Sequence, residues 1–378
     1  MSFQNIASPR TTSRYQNIDA LRALAAFLVL WTHTAEVFVS FAGPGNSDGQ
    51  WVNEIAHQLD FGRIGVIAFF AISGFVIPMS LKRDGSGSAL RQFAIGRFFR
   101  LYPAFWISIL PGALTFYWIW GKRFPAADVL LNLTMIPSAF GAQPAEGLYW
   151  TLQIELSFYV LCVLLYRVGW LHNWTRLLQV TFALLASYLI FRRQPWQLDI
   201  AHLSIMFFGA ACRQYVVSRA TPDKKSPLPL VVYAGFWIAA FPAYGLFSVW
   251  RGHDAAHPHI GTFVTSYALG MLIFIATLSV PNLKTAIGAW LGKISYSLYL
   301  LHPVVLYSLF WWIGQKGPAS LQHLHLGLYV LLCAGISVAL AALNYYLVEK
   351  PCIRLGNRIK TRLGRPAHQA ELASRETA

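Results

Sequence analysis

The chain has 378 residues, of which 56% are hydrophobic and only 12% are charged, and its mean hydropathy is +0.47. A soluble globular protein carries about twice this charged fraction, so the composition excludes a soluble globule. The formal net charge of +15 at pH 7 fits either a nucleic-acid partner or an anionic membrane surface, and the placement of the basic residues distinguishes the two.

Apolar segments long enough to cross a bilayer recur along the whole chain. We predict ten of them, and therefore an all-α polytopic membrane protein with about ten transmembrane helices. The predicted spans are residues 19–41, 61–81, 103–120, 150–168, 175–191, 199–217, 228–250, 260–280, 294–313 and 326–348.

The domain organisation follows from these spans. A cytoplasmic N-terminal segment is predicted over residues 1–17, a transmembrane domain over 18–350 and a basic cytoplasmic tail over 351–378. Pro351 is expected to end the last span at the inner surface, because proline lacks the amide hydrogen that a helix interior needs.

The basic residues are divided unevenly between the two sides that the spans define. With the N-terminus placed in the cytoplasm, 23 of the 30 lysines and arginines fall on the cytoplasmic side. This is the positive-inside pattern, and it predicts that both termini are cytoplasmic. Orientation and contact with membrane lipids then explain the excess charge, and no nucleic-acid partner is expected.

The first span contains ionisable residues at membrane depth. Arg22 and His33 are eleven positions apart, which places them on nearly the same helix face and about 16 Å apart along the axis. Both groups cost free energy in hydrocarbon, so they are candidate functional residues. The alternative is that Arg22 extends to lipid phosphates and His33 packs in the core.

The second span and the loop after it carry further candidates. Ser73 and Gly74 place small residues at membrane depth, which favours close helix packing over a nucleophilic serine, since no Gly-x-Ser-x-Gly turn surrounds Ser73. Arg97 and Arg100 are spaced i, i+3 and share a helix face, where guanidinium groups can bind phosphates in bidentate fashion. Ordinary positive-inside charge is the alternative interpretation of this pair.

Glu155 lies about one and a half turns into the fourth span. We expect it to pair with His33 or Glu36 on the first helix, since a carboxylate that fixes an imidazole tautomer is a general-base arrangement. Glu36, three residues after His33, competes with Glu155 for this role.

The ninth span contains a polar stripe in which Tyr299 shares a face with both Ser295 and His302. These side chains either contribute to a site or bond to one another in the core.

No metal site is expected. His253, His257 and His259 are close in sequence, but their spacing fits no closed zinc pattern and a solvated loop is the favoured interpretation.

Taken in order, these segments resemble integral-membrane acyltransferase family 3, the bacterial multi-span O-acyltransferases that modify surface polysaccharides and related glycans. The resemblance covers residues 17–356 and depends on six motifs in sequence. They comprise Asp19, Arg22 and His33; Gly65, Phe69, Phe70, Ser73, Gly74 and Phe75; Arg97, Arg100 and Pro103; Trp150, Leu152, Glu155, Phe158 and Tyr159; Leu291, Ser295, Tyr296, Tyr299 and His302; and Glu349 and Pro351.

The resemblance implies an O-acyltransferase in the bacterial cytoplasmic (inner) membrane. Its donor would be cytoplasmic acyl-CoA, most often acetyl-CoA, and its acceptor a hydroxyl of a cell-surface or periplasmic glycan or glycoside. The extended pantetheine arm of the donor can span the distance from the arginines to His33. Oligomeric state cannot be deduced from these residues.

Each candidate residue receives a role in this hypothesis. His33 is the general base, oriented by Glu155 or Glu36, or it forms an acyl-imidazole intermediate. Donor binding is assigned to Arg22, Arg97, Arg100 and Tyr296, and substrate binding to Ser73, Tyr299 and His302. The competing hypothesis is a glycan or lipid-intermediate transporter or flippase in which buried His and Glu form a proton relay.

Overall fold

The computed structural model describes residues 16–42, 59–81, 87–191, 197–218, 228–240, 260–280 and 285–363. Within these ranges the secondary structure is helical and no strand occurs. The predicted all-α architecture is therefore confirmed.

We number the principal helices of these ranges in chain order. They are α1 (Gln16–Ala42), α2 (Phe61–Val76), α3 (Gly87–Phe116), α4 (Trp150–Arg167), α5 (Trp174–Ile190), α6 (Gln197–Ser218), α7 (Leu228–Gly235), α8 (Ile260–Ser279), α9 (Ala286–Lys316), α10 (Leu326–Asn344) and α11 (Lys350–Leu363). Two short helices, Ala126–Asn132 and Ala319–Gln322, lie in the connections.

Seven helical segments of the described chain are long and apolar enough to cross a membrane. They are Asn17–Phe41, Phe61–Ser80, Gly87–Trp120, Gly147–Arg167, Leu198–Ser218, Ala286–Lys316 and Leu326–Leu363. The other three predicted spans coincide with shorter apolar helices, at Trp174–Ile190, Leu228–Ala239 and Thr265–Ser279. The chain is a polytopic membrane protein. Residues 241–250, the second part of the predicted seventh span, lie outside the described residues.

Helix α3 begins well before the predicted third span. The span was expected at residue 103, but the helix starts at Gly87 and runs to Phe116. Arg91, Arg97 and Arg100 lower the local hydropathy without disfavouring the helix, because arginine is a good helix former. The extra turns carry two of the candidate arginines on a rigid element.

The expectation that Pro351 ends the last span is wrong. A five-residue π-helical segment, Tyr345–Glu349, follows α10, and α11 then begins at Lys350. Pro351 therefore lies inside a continuous helical segment, Leu326–Leu363, directly after the π-helical residues. Glu349 is the last residue of the π-helical segment and is buried at the junction.

Helix α2 is central, because it packs against α1, α6 and α8. Its contact with α6 is made by backbones. A Cβ atom added to Gly74 would lie 1.8 Å from the carbonyl oxygen of Met206, and one added to Gly209 would lie 2.2 Å from that of Ala71. Small residues allow this approach in membrane helices, so Gly74 has the close-packing role that the sequence favours.

Helix α1 packs against α2 on one side and against α9 and α10 on another. Gly292 of α9 lies against the backbone of Asp19 in α1, where an added Cβ would be 2.4 Å from the carbonyl oxygen of Asp19. The candidate residues of α1 and α9 are therefore held on adjoining rigid helices.

Candidate active site

Two of the cavities in the described part of the helix bundle are lined by candidate residues. The smaller one, which we call the basic cavity, has a volume of about 110 Å³ and is lined by Arg22, Val66, Phe69, Phe70, Ser73, Ile77, Arg97, Arg100, Leu101, Thr151, Leu152, Glu155, Tyr159, Ser295, Tyr296 and Tyr299. The larger one, which we call the wide cavity, has a volume of about 590 Å³ and is lined by Val29, Thr32, His33, Glu36, Asp60, Gly62, Arg63, Val66, Phe116, Gly147, Leu148, Trp150, Leu198, Asp199, His202, Tyr267, Tyr299, Pro303 and Tyr307.

The two cavities share two lining residues, Val66 of α2 and Tyr299 of α9. The hydroxyl group of Tyr299 is 2.9 Å from the hydroxyl oxygen of Thr151 in α4, which fixes the ring between the helices. The two cavities therefore adjoin at Val66 and Tyr299, which we call the wall.

The basic cavity brings together the three predicted donor-binding arginines. Arg97 donates to the hydroxyl oxygen of Ser80 at 2.7 Å, and its guanidinium carbon lies 5.5 Å from the centre of the Tyr159 ring. Arg22 makes a long ion pair with Asp19, with 3.8 Å between Nη1 and Oδ1.

Arg100 is held more firmly than the other two arginines. Its Nη1 lies 2.6 Å from Oε1 of Glu349, whose side chain is completely buried. The second carboxylate oxygen of Glu349 accepts a hydrogen bond from Ser297 at 2.8 Å. Arg100 therefore neutralises a buried carboxylate as well as lining the cavity.

Ser73 and Tyr296 also line the basic cavity. The Tyr296 hydroxyl donates to the carbonyl oxygen of Leu101 at 3.0 Å, which ties α9 to α3. Of the three residues predicted to bind substrate, Ser73 thus lies beside the predicted donor residues, and Tyr299 lies at the wall.

The expected pairing of Glu155 with His33 is not the one that forms. Glu155 lines the basic cavity and accepts a short hydrogen bond from the hydroxyl of Tyr159, one turn further along α4. His33 lines the wide cavity together with Glu36. Spacing along a helix fixes depth but not the neighbouring helix: α4 packs against α2 and α6, whereas α1 packs against α2, α9 and α10.

The partner of His33 is a second histidine. Nδ1 of His33 lies 2.9 Å from Nε2 of His302 in α9, and the two rings are nearly parallel, at an interplanar angle of 14°. His302 is buried and lines neither cavity, so it contacts His33 rather than the cavity space. This placement replaces the predicted substrate-binding role of His302.

The hydrogen bonds of His302 determine the tautomers of both rings. Its Nδ1 faces the carbonyl oxygens of Tyr299 at 2.9 Å and Leu298 at 3.2 Å, which only accept, so Nδ1 carries the proton. No carboxylate is bonded to either ring among the described residues, and an imidazolium here would be an uncompensated buried charge. In neutral His302, Nε2 therefore accepts from Nδ1–H of His33, and Nε2 of His33 is left as a proton acceptor.

The sequence interpretation missed several polar residues of the wide cavity. His202 of α6 lies within a predicted span, so the criterion that selected His33 also applies to it. Asp60 and Arg63 form an ion pair of 3.0 Å at the start of α2, where the Asp60 carboxylate also accepts the amide hydrogen of Arg63. Asp60 precedes the predicted span 61–81 and Arg63 lies at its outer end, where charged residues are common and do not by themselves indicate a site.

Glu146 is a further buried acid that the sequence did not indicate. It lies just before α4, and neither carboxyl oxygen has a hydrogen-bond partner in the described structure. Burial raises the pKa of Glu146 well above its usual range. Gly112 of α3 leaves room for this side chain, because an added Cβ would lie 2.6 Å from Oε1.

The described residues hold no group of three or more His, Cys, Asp or Glu side chains suited to a metal ion. His253, His257 and His259 lie outside the described residues.

Comparison with known proteins identifies the family. The family model described as an acyltransferase domain, that of acyltransferase family 3, matches residues 15–344. The chain belongs to acyltransferase family 3. It is therefore a membrane enzyme that transfers acyl groups, and this membership favours the enzyme hypothesis over the transporter hypothesis.

Three curated relatives of this acyltransferase match over most of their length. Nodulation protein 10 of Rhizobium leguminosarum bv. viciae is 26% identical, with 94% of this chain and 98% of the relative covered. The exopolysaccharide production protein ExoZ of Rhizobium meliloti (strain 1021) is 24% identical, with 83% and 97% covered. The acyltransferase MdmB of Streptomyces mycarofaciens is 23% identical, with 93% and 94% covered. No solved structure matches the chain significantly.

Proposed function

We propose that this acyltransferase moves an acyl group, acetyl in the first instance, from acyl-CoA to a hydroxyl group of a glycan or glycoside. The donor enters the basic cavity from the cytoplasm, and the acceptor enters the wide cavity from the opposite side of the inner membrane. His33 acts as the general base.

The wall formed by Val66 and Tyr299 is the observation that carries this proposal. An acyl donor and a hydroxyl acceptor of different size and polarity need separate binding spaces that meet at the reacting atoms. The basic cavity has three arginines beside it, which suits the anionic donor. The wide cavity has an unprotonated imidazole nitrogen, which suits the acceptor hydroxyl.

The volume of the basic cavity supports a specific placement of the donor. A space of about 110 Å³ suits the thioester end of the pantetheine arm and is too small for the nucleotide. The nucleotide phosphates then remain at the mouth, where guanidinium groups can bind them in bidentate fashion. Arg22 and Arg97 are the candidates for this contact, because Arg100 is already paired with Glu349.

The proposed chemistry conserves protons. Nε2 of His33 removes the proton from the acceptor hydroxyl as its oxygen attacks the thioester carbonyl carbon. The tetrahedral intermediate collapses, the C–S bond breaks, and the thiolate takes the proton from His33 to give CoA and an ester. His302 accepts from Nδ1–H throughout, so it holds the His33 ring and shares the transient positive charge.

Two observations support a carbohydrate acceptor. The name of one relative, the exopolysaccharide production protein ExoZ, refers to exopolysaccharide production. The wide cavity also offers hydrogen-bonding side chains such as Glu36, Asp199, His202 and Tyr307 in its wall, which suits an acceptor with several hydroxyl groups.

Purified protein in liposomes with acetyl-CoA and candidate glycans tests this function. We expect His33→Ala to lower the rate by about 10²–10⁴-fold, the usual contribution of a general base, with His323→Ala as the control at an exposed histidine outside both cavities. Release of one equivalent of CoA before any acceptor is added would instead indicate the acyl-imidazole route. Near-normal transfer by His33→Ala protein would contradict both routes.

A further inference from the structure

A second buried imidazole, that of His202, lines the wide cavity and has one ring nitrogen without a hydrogen-bond partner in the described structure. His202 of α6 is 4% exposed, and its Nε2 lies 2.8 Å from the Tyr267 hydroxyl of α8. Its Nδ1 is buried and has no partner in the described part of the structure. An unsatisfied buried polar atom is costly, so a ligand that supplies its partner gains affinity.

The missing partner has a defined chemistry. The Tyr267 hydroxyl either donates to Nε2, which leaves a proton on Nδ1, or accepts from it, which leaves Nδ1 bare. A hydroxyl group satisfies both cases because it donates and accepts. A carbonyl or carboxylate satisfies the first case alone.

Aromatic rings pack against the His202 ring. The centres of the Phe70 and Trp150 rings lie 4.8 Å and 5.4 Å from that of His202. Phe70 is buried, whereas Trp150 is 42% exposed and lines the wide cavity, as His202 does. An indole face next to a hydroxyl-binding nitrogen matches a sugar ring, which presents C–H groups on its faces and hydroxyl groups at its edge.

The size and polarity of the wide cavity also favour a sugar as the ligand. Its volume of about 590 Å³ lies within the range of small-molecule sites, about 300–1,000 Å³. Asp60, Arg63 and Asp199 also line it. A polyhydroxylated ring can bond to several of these polar groups at once, whereas a lipid alcohol offers a single hydroxyl group.

We propose that Nδ1 of His202 and the face of Trp150 form an acceptor subsite that binds a non-reacting hydroxyl and the ring face of a sugar residue. This inference rests on the proposed function, since it assigns the acceptor of the same reaction. His202 positions the sugar for His33 and takes no part in the proton transfer. A shift of the half-exposed Trp150 ring gives the ligand hydroxyl access to Nδ1.

The test uses full-length protein in lipid nanodiscs, radiolabelled acetyl-CoA, and methyl glycosides of glucose, galactose and N-acetylglucosamine, with n-octanol as the lipid-alcohol comparison. The variants are His202→Phe, which removes the hydrogen bond, His202→Gln, which keeps a hydrogen-bonding group, and Trp150→Ala, which removes the stacking face. His172→Phe is the matched control, because His172 also lies beside an aromatic ring, Tyr166, and lines neither cavity. Saturation-transfer NMR measures glycoside binding without reference to turnover.

We expect His202→Phe to raise the KM for the glycoside about tenfold, the effect of one lost hydrogen bond, with kcat changed less than about threefold. His202→Gln should recover part of this loss, Trp150→Ala should raise KM as well, and His172→Phe should match the wild type. Unchanged KM and unchanged NMR binding in both His202→Phe and Trp150→Ala would overturn the subsite, as would transfer to n-octanol but to no glycoside.

Failure of the proposed function has a different signature. It would appear as wild-type protein that neither transfers nor hydrolyses the acetyl group of acetyl-CoA. Glycoside binding by NMR, and its loss in His202→Phe, could still be measured in that case. The absence of glycoside binding to wild-type protein that turns over acetyl-CoA overturns the subsite alone.

Discussion

At the scale of single residues, the main feature is an imidazole oriented by another imidazole. In many general-base sites a carboxylate fixes the histidine tautomer. Here His302 does so through one acceptor nitrogen, and its own proton is fixed by backbone carbonyls of α9. Both rings are neutral, which avoids the desolvation cost of a carboxylate at this depth.

This arrangement predicts the effect of changing His302. His302→Ala should lower kcat by about 10–100-fold, the usual cost of losing an orienting partner, and leave the KM for the acceptor unchanged because His302 lines neither cavity. His302→Gln should recover part of the rate, since its amide oxygen can accept from His33. ¹⁵N NMR of labelled histidine should show the Nδ1–H tautomer of His33 in the wild type and its loss in His302→Ala. Equal kcat for His302→Ala and wild type would contradict the orienting role.

Mutation should also distinguish the role of Arg97 in donor binding from the role of Arg100 in stability. Arg97→Ala should raise the KM for acetyl-CoA about 10–100-fold, the value of a charge-assisted hydrogen bond, with little change in thermal stability. Arg100→Ala should destabilise the protein by about 3–5 kcal/mol, because it leaves the buried Glu349 carboxylate without its cation.

Enzyme assays and melting curves in detergent would measure the two effects. Glu349→Gln introduced into the Arg100→Ala protein removes the unpaired charge and should restore part of the stability. A normal melting temperature for Arg100→Ala would show that the ion pair contributes little.

These residues also show how far the sequence predicts the site. The separation of Arg22 and His33 along α1 could be predicted, because a helix rises by a fixed distance per residue, and the two side chains line different cavities. The neighbours of each helix could not be predicted, because the rotation of one helix about another depends on packing over the whole bundle. Glu155 therefore bonds to Tyr159 instead of His33, and His302 takes the place beside His33.

At the scale of helices, glycines set the separation between α2 and α6. Gly74→Ala should destabilise the protein by about 1–3 kcal/mol, because the added methyl group would overlap the backbone at Met206. Gly335→Ala in α10 is the control: nothing lies within 4 Å of the added group, so the change should be neutral or slightly stabilising. Thermal unfolding in detergent distinguishes the two, and equal melting temperatures would show that α2 can move away from α6.

The apolar spans could be predicted from the sequence, but the polar helical turns that extend them could not. Hydropathy detects the part of a helix that lies in hydrocarbon, so it missed the polar first turns of α3 and the amphipathic α11. Pro351 was misinterpreted because proline usually ends or kinks a helix. Here the helix continues past it, directly after the π-helical segment Tyr345–Glu349.

At the scale of the whole molecule, the distribution of basic residues predicts the orientation in the membrane. Green fluorescent protein fused after Leu363 should fluoresce, and alkaline phosphatase at the same position should be inactive, because that end is expected in the cytoplasm. A phosphatase fusion after Gly121, in the connection that follows α3, should be active. The reverse pattern would place the arginines outside and contradict cytoplasmic delivery of the donor.

The wall at Val66 and Tyr299 has an electrical consequence for the proposed reaction. Nucleotide and acceptor each stay on their own side, so only the acyl group and, in the opposite direction, the hydroxyl proton pass between the two sides. Moving a unit charge against a membrane voltage costs about 2.3 kcal/mol per 100 mV, but this exchange leaves the thiol and the ester neutral, so no net charge moves. Turnover should therefore be as fast in de-energised vesicles as in a respiring cell, with thioester cleavage as its sole source of driving force.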